Sequence, residues 1–216
     1  MLFRSVWIHL DDAEVHRMRC LLDEVFGAEN FIGTVIWNHT AQSKNDQPHF
    51  SNHHNQLLVY GRARGTRRFL LPRGPEHNKA YSNPDQDPRG DWRSGDVRSP
   101  NPRPTLTYEV KTPGGKTIPP PAKGWRWSRE TLSAKIATGE VVFADDETRI
   151  VRKIYLADQP GRTPENLWLV GEVGGTRDAN REMKSVLPET APFSTPKPER
   201  LLERVLAIAT DPGDIV

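Results

Sequence analysis

The sequence predicts an α/β fold interrupted by a long, basic and mostly irregular α+β insertion. Strand and helix patterns occur at both ends of the chain, whereas the middle third is rich in the proline and glycine of turns. With 216 residues, one domain plus an insertion is the natural expectation. Only 35% of the residues are hydrophobic, so much of the chain must be surface or loop.

The N-terminal part predicts a strand, a tight turn and a helix. The apolar run SVWIHL at 5–10 is typical of a buried strand. Asp11 follows, with Glu14 three residues later, which is the spacing of a capping box. Gly27 suits the C-terminal cap of the helix. The apolar residues of this helix recur at spacings of three and four: Val15, Met18, Leu22 and Val25.

Two further strands are predicted at 31–38 (FIGTVIWN) and 56–61 (QLLVYG). The 17 residues between them are polar and rich in histidine, and loops of this length are usually functional or disordered. His49, His53 and His54 could in principle bind a metal, but Cys20 is remote and no second cluster exists. We therefore expect loop or DNA-contacting histidines here and no metal site.

The segment 62–164 contains few regular elements. Short strands are predicted at 106–112 (LTYEVKT) and 140–144 (EVVFA), and a helix at 128–139 (SRETLSAKIATG). The remainder has the composition of turns, as in NPDQDPRGD, SPNPRP, TPGGK and IPPPAKG.

Regular structure returns near the C-terminus. A helix is predicted at 179–187, and a terminal helix that starts at Thr195 and Pro196. The sequence then ends in DIV, the first residues of a further apolar strand. The terminal helix is predicted to have one apolar face, which comprises Leu201, Leu202, Val205, Leu206 and Ala209.

Positive charge is concentrated in the middle of the chain. Residues 62–129 contain 15 Lys or Arg and 6 Asp or Glu, and the remainder contains 15 and 22. Such a distribution favours a polyanionic partner such as nucleic acid. The alternative is a soluble, arginine-rich loop region. Trp92, Trp125 and Trp127 lie among these arginines, where they either stack on bases or form a small core under the loops.

Two charged positions have alternative interpretations. Asp11 and Asp12 end a strand and begin a helix, where ligands bind in open α/β sheets, or they only cap the helix. Lys197 lies near a helix N-terminus, where a cation opposes the helix dipole. It either binds an anion together with free backbone N–H groups or is simply solvated.

The single cysteine, Cys20, excludes an internal disulfide and fits a reducing compartment. The N-terminal apolar stretch is too short and too quickly acidic for a signal peptide, and no apolar run is long enough to span a membrane. These features predict a cytoplasmic protein.

Six segments, in this order, resemble the Mod subunit of type III restriction-modification systems, a β-type adenine-specific DNA methyltransferase. The resemblance covers nearly the whole chain. The segments are WIHLDDAEVHRMRCLLDEVFGAENFIGTVIW, FSNHHNQLLVY, NPDQDPRGDW, WRWSRETL, LWLVGEVGGTRDANREMKSVL and FSTPKPERLLERVLAIAT.

The resemblance implies a partial, Rossmann-like methyltransferase core at 1–61 and 165–216, with a DNA target-recognition region at 62–164. It implies transfer of a methyl group from S-adenosylmethionine to adenine N6 in double-stranded DNA, and a homodimer with a restriction subunit as partner. The residues expected beside the cofactor are Phe193, Thr195, Lys197 and Pro198. Those expected at the DNA are Lys44, Arg89, Trp92, Arg93, Arg98, Arg103, Arg126 and Arg129.

The sequence departs from the family pattern in two ways. Asn55 stands where the family usually has an acidic residue, and Gln56 where an aromatic is expected. The chain also contains neither the D-P-P-Y-like tetrapeptide that holds the flipped adenine nor the F-x-G-x-G loop that approaches the cofactor. We therefore expect a truncated and inactive piece. The alternatives are a non-catalytic DNA-binding module and a degenerate remnant.

Overall fold

The computed structural model describes residues 4–43, 45–63, 68–188 and 194–214. The chain divides into two compact units. The first unit comprises Met1–Leu71 together with Arg162–Val216, and the second comprises Pro72–Gly161. Each unit has its own buried apolar core, so each is described separately.

The first unit is a mixed α/β structure built on a four-stranded sheet. Its elements are β1 (Ser5–Leu10), α1 (Val15–Phe26), β2 (Phe31–Asn38), β3 (His54–Gly61), β9 (Leu167–Trp168), α4 (Val170–Val173), α5 (Thr176–Val186) and α6 (Glu199–Ala209). The strands lie in the order β1-β3-β2-β9; β3 pairs antiparallel with both β1 and β2, and β9 pairs parallel with β2.

Strand β3 is the centre of this sheet and is covered on both faces. Its residues Leu57 and Val59 pack with Leu201 and Ile208 of α6 in one cluster. The alternate residues Leu58 and Tyr60 pack with Leu22 of α1 in another cluster. Because both faces are buried, the strand is a continuous apolar run rather than an alternating pattern. The strands predicted at 31–38 and 56–61 correspond to β2 and β3.

The predicted capping box at the start of α1 is wrong. The helix begins at Val15, and Glu14 in the N-cap position makes no side-chain capping bond. Asp11 instead accepts a hydrogen bond from the backbone N–H of Ala13 at 3.1 Å, which stabilises a turn before the helix. The helix ends as expected at Gly27, whose φ of 86° favours glycine. Cys20 on this helix is exposed.

The terminal helix also begins later than predicted, at Glu199 with Pro198 as its N-cap. Thr195 and Lys197 each precede a proline, which disfavours the helical conformation at both positions. Segment 195–198 therefore lies outside the helix. The predicted apolar face is wrong in part: Leu201 is buried, but Leu202 and Leu206 are 52% and 40% exposed. Residues 215–216 of the predicted terminal strand lie outside the described residues.

The second unit contains more regular structure than its sequence predicts. Its elements are α2 (Pro75–Asn78), β4 (Trp92–Gly95), β5 (Val110–Lys111), β6 (Thr117–Ile118), α3 (Arg129–Ala137), β7 (Val141–Phe143) and β8 (Ile150–Tyr155). A three-stranded antiparallel sheet has the order β4-β8-β7, and β5 and β6 form a separate hairpin. The helix predicted at 128–139 corresponds to α3, capped by the side chain of Ser128.

A buried lysine in β8 organises the polar side of this unit. Lys153 is only 5% exposed, and its Nζ donates to both Asp85 and Asp87. The Tyr155 hydroxyl donates to Asp87 at 2.8 Å, and the Trp92 indole N–H donates to Asp85 at 2.9 Å. The hydrogen bond from Lys153 is the main cause that lowers the pKa of Asp87 to about 2. The segment NPDQDPRGDW is therefore folded around this one ammonium group.

We predict that Lys153→Met destabilises the second unit by about 2 to 3 kcal/mol, because it removes a buried cation and leaves the Asp87 carboxylate, which is only 12% exposed, without its partner. Amide hydrogen exchange in β8 measures this effect. Lys135→Met is the control, since the Lys135–Glu140 pair is more exposed and is worth less than about 1 kcal/mol. Equal losses in the two variants would contradict the prediction.

Candidate functional site

The first unit has a cluster of polar and aromatic side chains where β1 and β2 end and β3 begins. His9 of β1, Trp37 of β2 and Asn55 of β3 share the face of the sheet that contacts α6, as the strand register requires. The rings of His9 and Trp37 make a T-shaped contact at a centroid distance of 5.4 Å. The amide nitrogen of Asn55 lies 3.3 Å from Nε2 of His9.

The side chain of Trp37 anchors the backbone at the end of α4. Its side chain is buried, and its indole N–H donates to the Gly174 carbonyl at 3.0 Å. Gly174 has a φ of +80°, and a Cβ there would lie 2.9 Å from Cβ of Pro198. The absence of a side chain at Gly174 therefore lets the backbone at the end of α4 approach the buried proline closely.

The next glycine makes a similar contact with the end of β2. A Cβ on Gly175 would lie 2.4 Å from the carbonyl oxygen of His39. The same carbonyl accepts a hydrogen bond from the backbone N–H of Thr176, the first residue of α5, at 3.0 Å. The two glycines thus bring α5 and segment 195–198 against the end of the sheet.

Lys197 is half-buried at this end of the first unit, between two buried prolines, Pro196 and Pro198. Its Nζ donates to the Thr195 carbonyl at 2.8 Å, and within the described ranges it pairs with no carboxylate. Burial lowers the pKa of Lys197, which means that the cation is incompletely solvated. Such a cation favours an anionic ligand. Thr195 is exposed beside it, whereas Phe193 lies outside the described residues.

The surroundings of His9 favour the neutral form of its imidazole. Burial is the largest cause that lowers its pKa to about 4, and the positive charge of Lys197 acts in the same direction. His39 also lowers this pKa, while Asp11 opposes the shift. The cluster therefore combines one cation with an uncharged imidazole.

Asp12, the other acidic residue after β1, is exposed and bound by the residues that precede and open β3. The Asn52 and Gln56 side-chain amides each donate to its carboxylate at 3.2 Å, and His54 lies 3.9 Å from it. These interactions connect the end of β1 to the beginning of β3. In the part of the chain that the structure describes, no group of three or more His, Cys, Asp or Glu is placed to hold a metal ion.

The arginines predicted to contact DNA are all exposed in the second unit, and several are held by neighbours. Arg89 pairs with Asp158 at 3.1 Å and lies over the Tyr155 ring at 3.8 Å. Arg98 donates to both carboxylate oxygens of Asp96. Such pairing fixes the direction of a guanidinium group while leaving N–H donors on its exposed side.

The other predicted arginines differ in their surroundings. Arg93 donates to the Tyr81 hydroxyl at 3.2 Å, and Arg129 donates to the Glu109 carbonyl at 3.1 Å. Arg103 and Arg126 are exposed and have no ion-pair partner among the described residues. Lys44 lies outside the described residues.

The three tryptophans of this unit separate into two groups. Trp125 is 3% exposed in the core, and Trp127 packs against that core, so the small-core interpretation is correct for these two. Trp92 is half-buried, and its indole N–H is occupied by Asp85. Its predicted contact with DNA stays a prediction.

The sequence did not single out His9, Trp37 or the pair Gly174–Gly175 as parts of this cluster. A consecutive glycine pair between two short helical patterns was the one available signal, because such positions often mark close backbone approach. No local signal singles out His9, since its surroundings come from three distant segments.

These features define an α/β protein with an anion-favouring cluster at one end of its sheet and an exposed arginine set on a separate unit. A family model described as DNA methylase matches residues 4–216. The chain belongs to the DNA methylase family. No described helix has the length and apolar character needed to cross a membrane.

Three curated relatives each match 98% of the chain. It is 26% identical to the Mod subunit of the type III restriction-modification enzyme StyLTI of Salmonella typhimurium, of which 32% is covered. It is 25% identical to the type II methyltransferase M.EcaI of Enterobacter cloacae, with 44% covered, and 23% identical to the EcoP15I Mod subunit of Escherichia coli, with 38% covered. The resemblance found in the sequence is thereby confirmed, and the chain spans about a third to just under half of these relatives.

We predict that Gly174→Ala destabilises the first unit by about 2 kcal/mol or more, because it adds a clash with Pro198 to the cost of a positive φ. Gly213→Ala is the matched control: its φ is +90° but nothing lies within 4 Å of the added Cβ, so only about 1 kcal/mol is lost. Urea unfolding compares the two variants, and equal losses would argue against the close approach.

Proposed function

We propose that this chain is part of an adenine-specific DNA methyltransferase of a restriction-modification system, which uses S-adenosylmethionine. The observation that carries the proposal is Lys197, a half-buried cation that pairs with no carboxylate among the described residues and lies at a built cluster. The family membership and the names of the relatives support it.

The residues present fit the carboxylate end of the cofactor. Lys197 supplies the ammonium group, and the flanking prolines hold its backbone extended. Thr195 adds an exposed hydroxyl. Bound S-adenosylmethionine supplies the electrophilic methyl group. We propose that segment 195–198, together with Phe193, forms one side of the cofactor pocket.

The reaction proposed for the whole protein needs more than this side of the pocket. The adenine N6 lone pair is delocalised into the ring, so N6 must be held by hydrogen-bond acceptors after the base leaves the duplex. The resemblance assigns these acceptors to a D-P-P-Y-like tetrapeptide, which the 216 residues do not contain. We therefore propose that the chain alone transfers no methyl group.

We further propose that the sheet of the first unit belongs to a larger Rossmann-like methyltransferase sheet. Strand β1 is followed directly by α1, and the antiparallel β3 lies between β1 and β2. β1 is the edge of the described sheet on one side, and its backbone groups on that edge are available to another strand. Dimerisation and a restriction subunit are proposals that rest on the Mod relatives alone.

The second unit is proposed to contact double-stranded DNA. Its exposed arginines can bind phosphate oxygens, and their ion pairs and aromatic contacts orient them. A second candidate function follows from the separate core of this unit: a DNA-binding module that works without catalysis. Binding of DNA without binding of S-adenosylmethionine would favour this second function.

We predict that the chain binds S-adenosylmethionine more tightly than its carboxyl methyl ester, and that Lys197→Met abolishes this preference. A charge-assisted hydrogen bond of about 1.5 to 3 kcal/mol corresponds to a preference of about tenfold to a hundredfold. Ligand titration followed by NMR measures both affinities. Lys184→Met, an exposed lysine of α5, is the control and should keep the preference. A wild-type chain that binds both compounds equally would contradict the role of Lys197.

We predict that binding of a DNA duplex weakens steeply with salt, and that the double variant Arg103→Ala/Arg126→Ala reduces the slope. The log–log slope should become shallower by about 0.9 for each phosphate that the variant no longer neutralises. Fluorescence anisotropy at several salt concentrations gives the slope. Arg17→Ala on α1 is the control, because this exposed arginine belongs to the first unit. A flat salt response of the wild-type chain would count against the DNA proposal.

A further inference from the structure

The strand register brings an amide and an imidazole together beside Lys197. His9 lies opposite Leu57 in the β1–β3 pair, and Asn55 lies two residues before Leu57 on the same face of β3. The amide nitrogen of Asn55 is 3.3 Å from Nε2 of His9. An amide nitrogen can only donate, so Nε2 must accept, and the proton of the neutral ring lies on Nδ1.

We propose that Asn55 is a positioning residue that holds His9 as the neutral tautomer protonated on Nδ1, so that the imidazole adds no positive charge beside Lys197. The proposal rests on the cofactor site proposed above and deepens it. It assigns a role to Asn55, a position where the sequence departs from its family, and it adds His9 to the residues that shape the site.

The groups that face His9 from the neighbouring elements also favour a neutral imidazole. Trp37 of β2 packs against the ring at 5.4 Å and allows no full hydration of a charged imidazole. Lys197 before α6 and His39 after β2 disfavour a second positive charge, and Asp11 after β1 only partly offsets them. A carboxylate at position 55 would reverse this balance, because it would accept a hydrogen bond from a protonated ring nitrogen and favour the imidazolium.

A neutral His9 has a chemical consequence for an anionic ligand. Two cations at the cluster would bind any carboxylate or phosphate strongly and with little selectivity. One cation and one neutral N–H donor instead recognise a ligand by charge and by hydrogen bonding together. The contribution of His9 to the charge of the site also stays constant between pH 6 and 8, because the imidazole does not titrate in this range.

The test is the protonation state of His9, measured by long-range ¹H–¹⁵N NMR of the histidine side chains across a pH series. The His9 signals are assigned from the His9→Gln variant. In the wild-type chain we expect a neutral ring protonated on Nδ1 at pH 7, with a titration midpoint well below the ordinary value of about 6.5. A ring that is charged at pH 7, or protonated on Nε2, would overturn the proposal.

Two substitutions in β3 distinguish a specific effect of residue 55 on His9 from a general effect of added negative charge. Asn55→Asp should raise the midpoint of His9 by about one to three units, which moves the protonation of the ring towards pH 7. Gln56→Glu makes the same chemical change one residue further along, on the opposite face of β3 near Asp12, and should leave His9 unchanged. A His9 midpoint that moves equally in both variants would show that the pairing is not specific.

The affinity for S-adenosylmethionine connects this inference to the proposed function. Between pH 6 and 8, Asn55→Asp should make the affinity vary with pH more steeply than in the wild-type chain, because only the variant has a His9 that titrates near this range. If the wild-type chain binds no S-adenosylmethionine, the cofactor proposal fails, while the NMR result still decides the state of His9. If the chain binds and Asn55→Asp shows no new pH dependence, the proposed effect of His9 on the ligand is wrong.

Discussion

One hydrogen bond from a buried indole determines how the first unit is closed. Trp37 donates to the Gly174 carbonyl at 3.0 Å, and an unsatisfied carbonyl in that position would cost about 1 to 3 kcal/mol. The bond holds a glycine with positive φ against Pro198, and this contact fixes the extended segment that ends at α6. Lys197 lies in this segment, His9 packs against the same Trp37 ring, and Leu201 is buried in the helix that follows.

The two units accommodate buried polar groups in different ways. In the second unit, Lys153 is almost fully buried and is neutralised by two carboxylates, so its charge is compensated within the protein. In the first unit, Lys197 is half-buried and uncompensated among the described residues, and burial favours the neutral form of the histidine near it. A compensated charge stabilises structure, whereas an uncompensated one retains the capacity to bind. The contrast identifies Lys153 as a structural lysine and supports the proposed ligand-binding role of Lys197.

The sequence predicted the elements that are marked by residues within the element or next to it in the chain. β2 and β3 follow from apolar runs, and Gly27 marks the end of α1. β8 was missed because Lys153 lies in its middle, and its partners are 66 and 68 residues away. The predicted start of α6 was wrong because two X–Pro steps outweigh a good helix-start composition. Thr195, Lys197 and Pro198 came from the resemblance, whereas the His9–Asn55 pair required the register of two strands.

Because each unit has its own core, the tryptophan fluorescence of the chain contains the unfolding signals of two units. Its six tryptophans are shared equally: Trp7, Trp37 and Trp168 in the first unit, and Trp92, Trp125 and Trp127 in the second. Intrinsic emission is therefore a sum of two signals with the same number of chromophores. A single midpoint read from such a curve describes neither unit unless both lose their structure together. Emission recorded from the three tryptophans of one unit at a time would follow the unfolding of each unit separately.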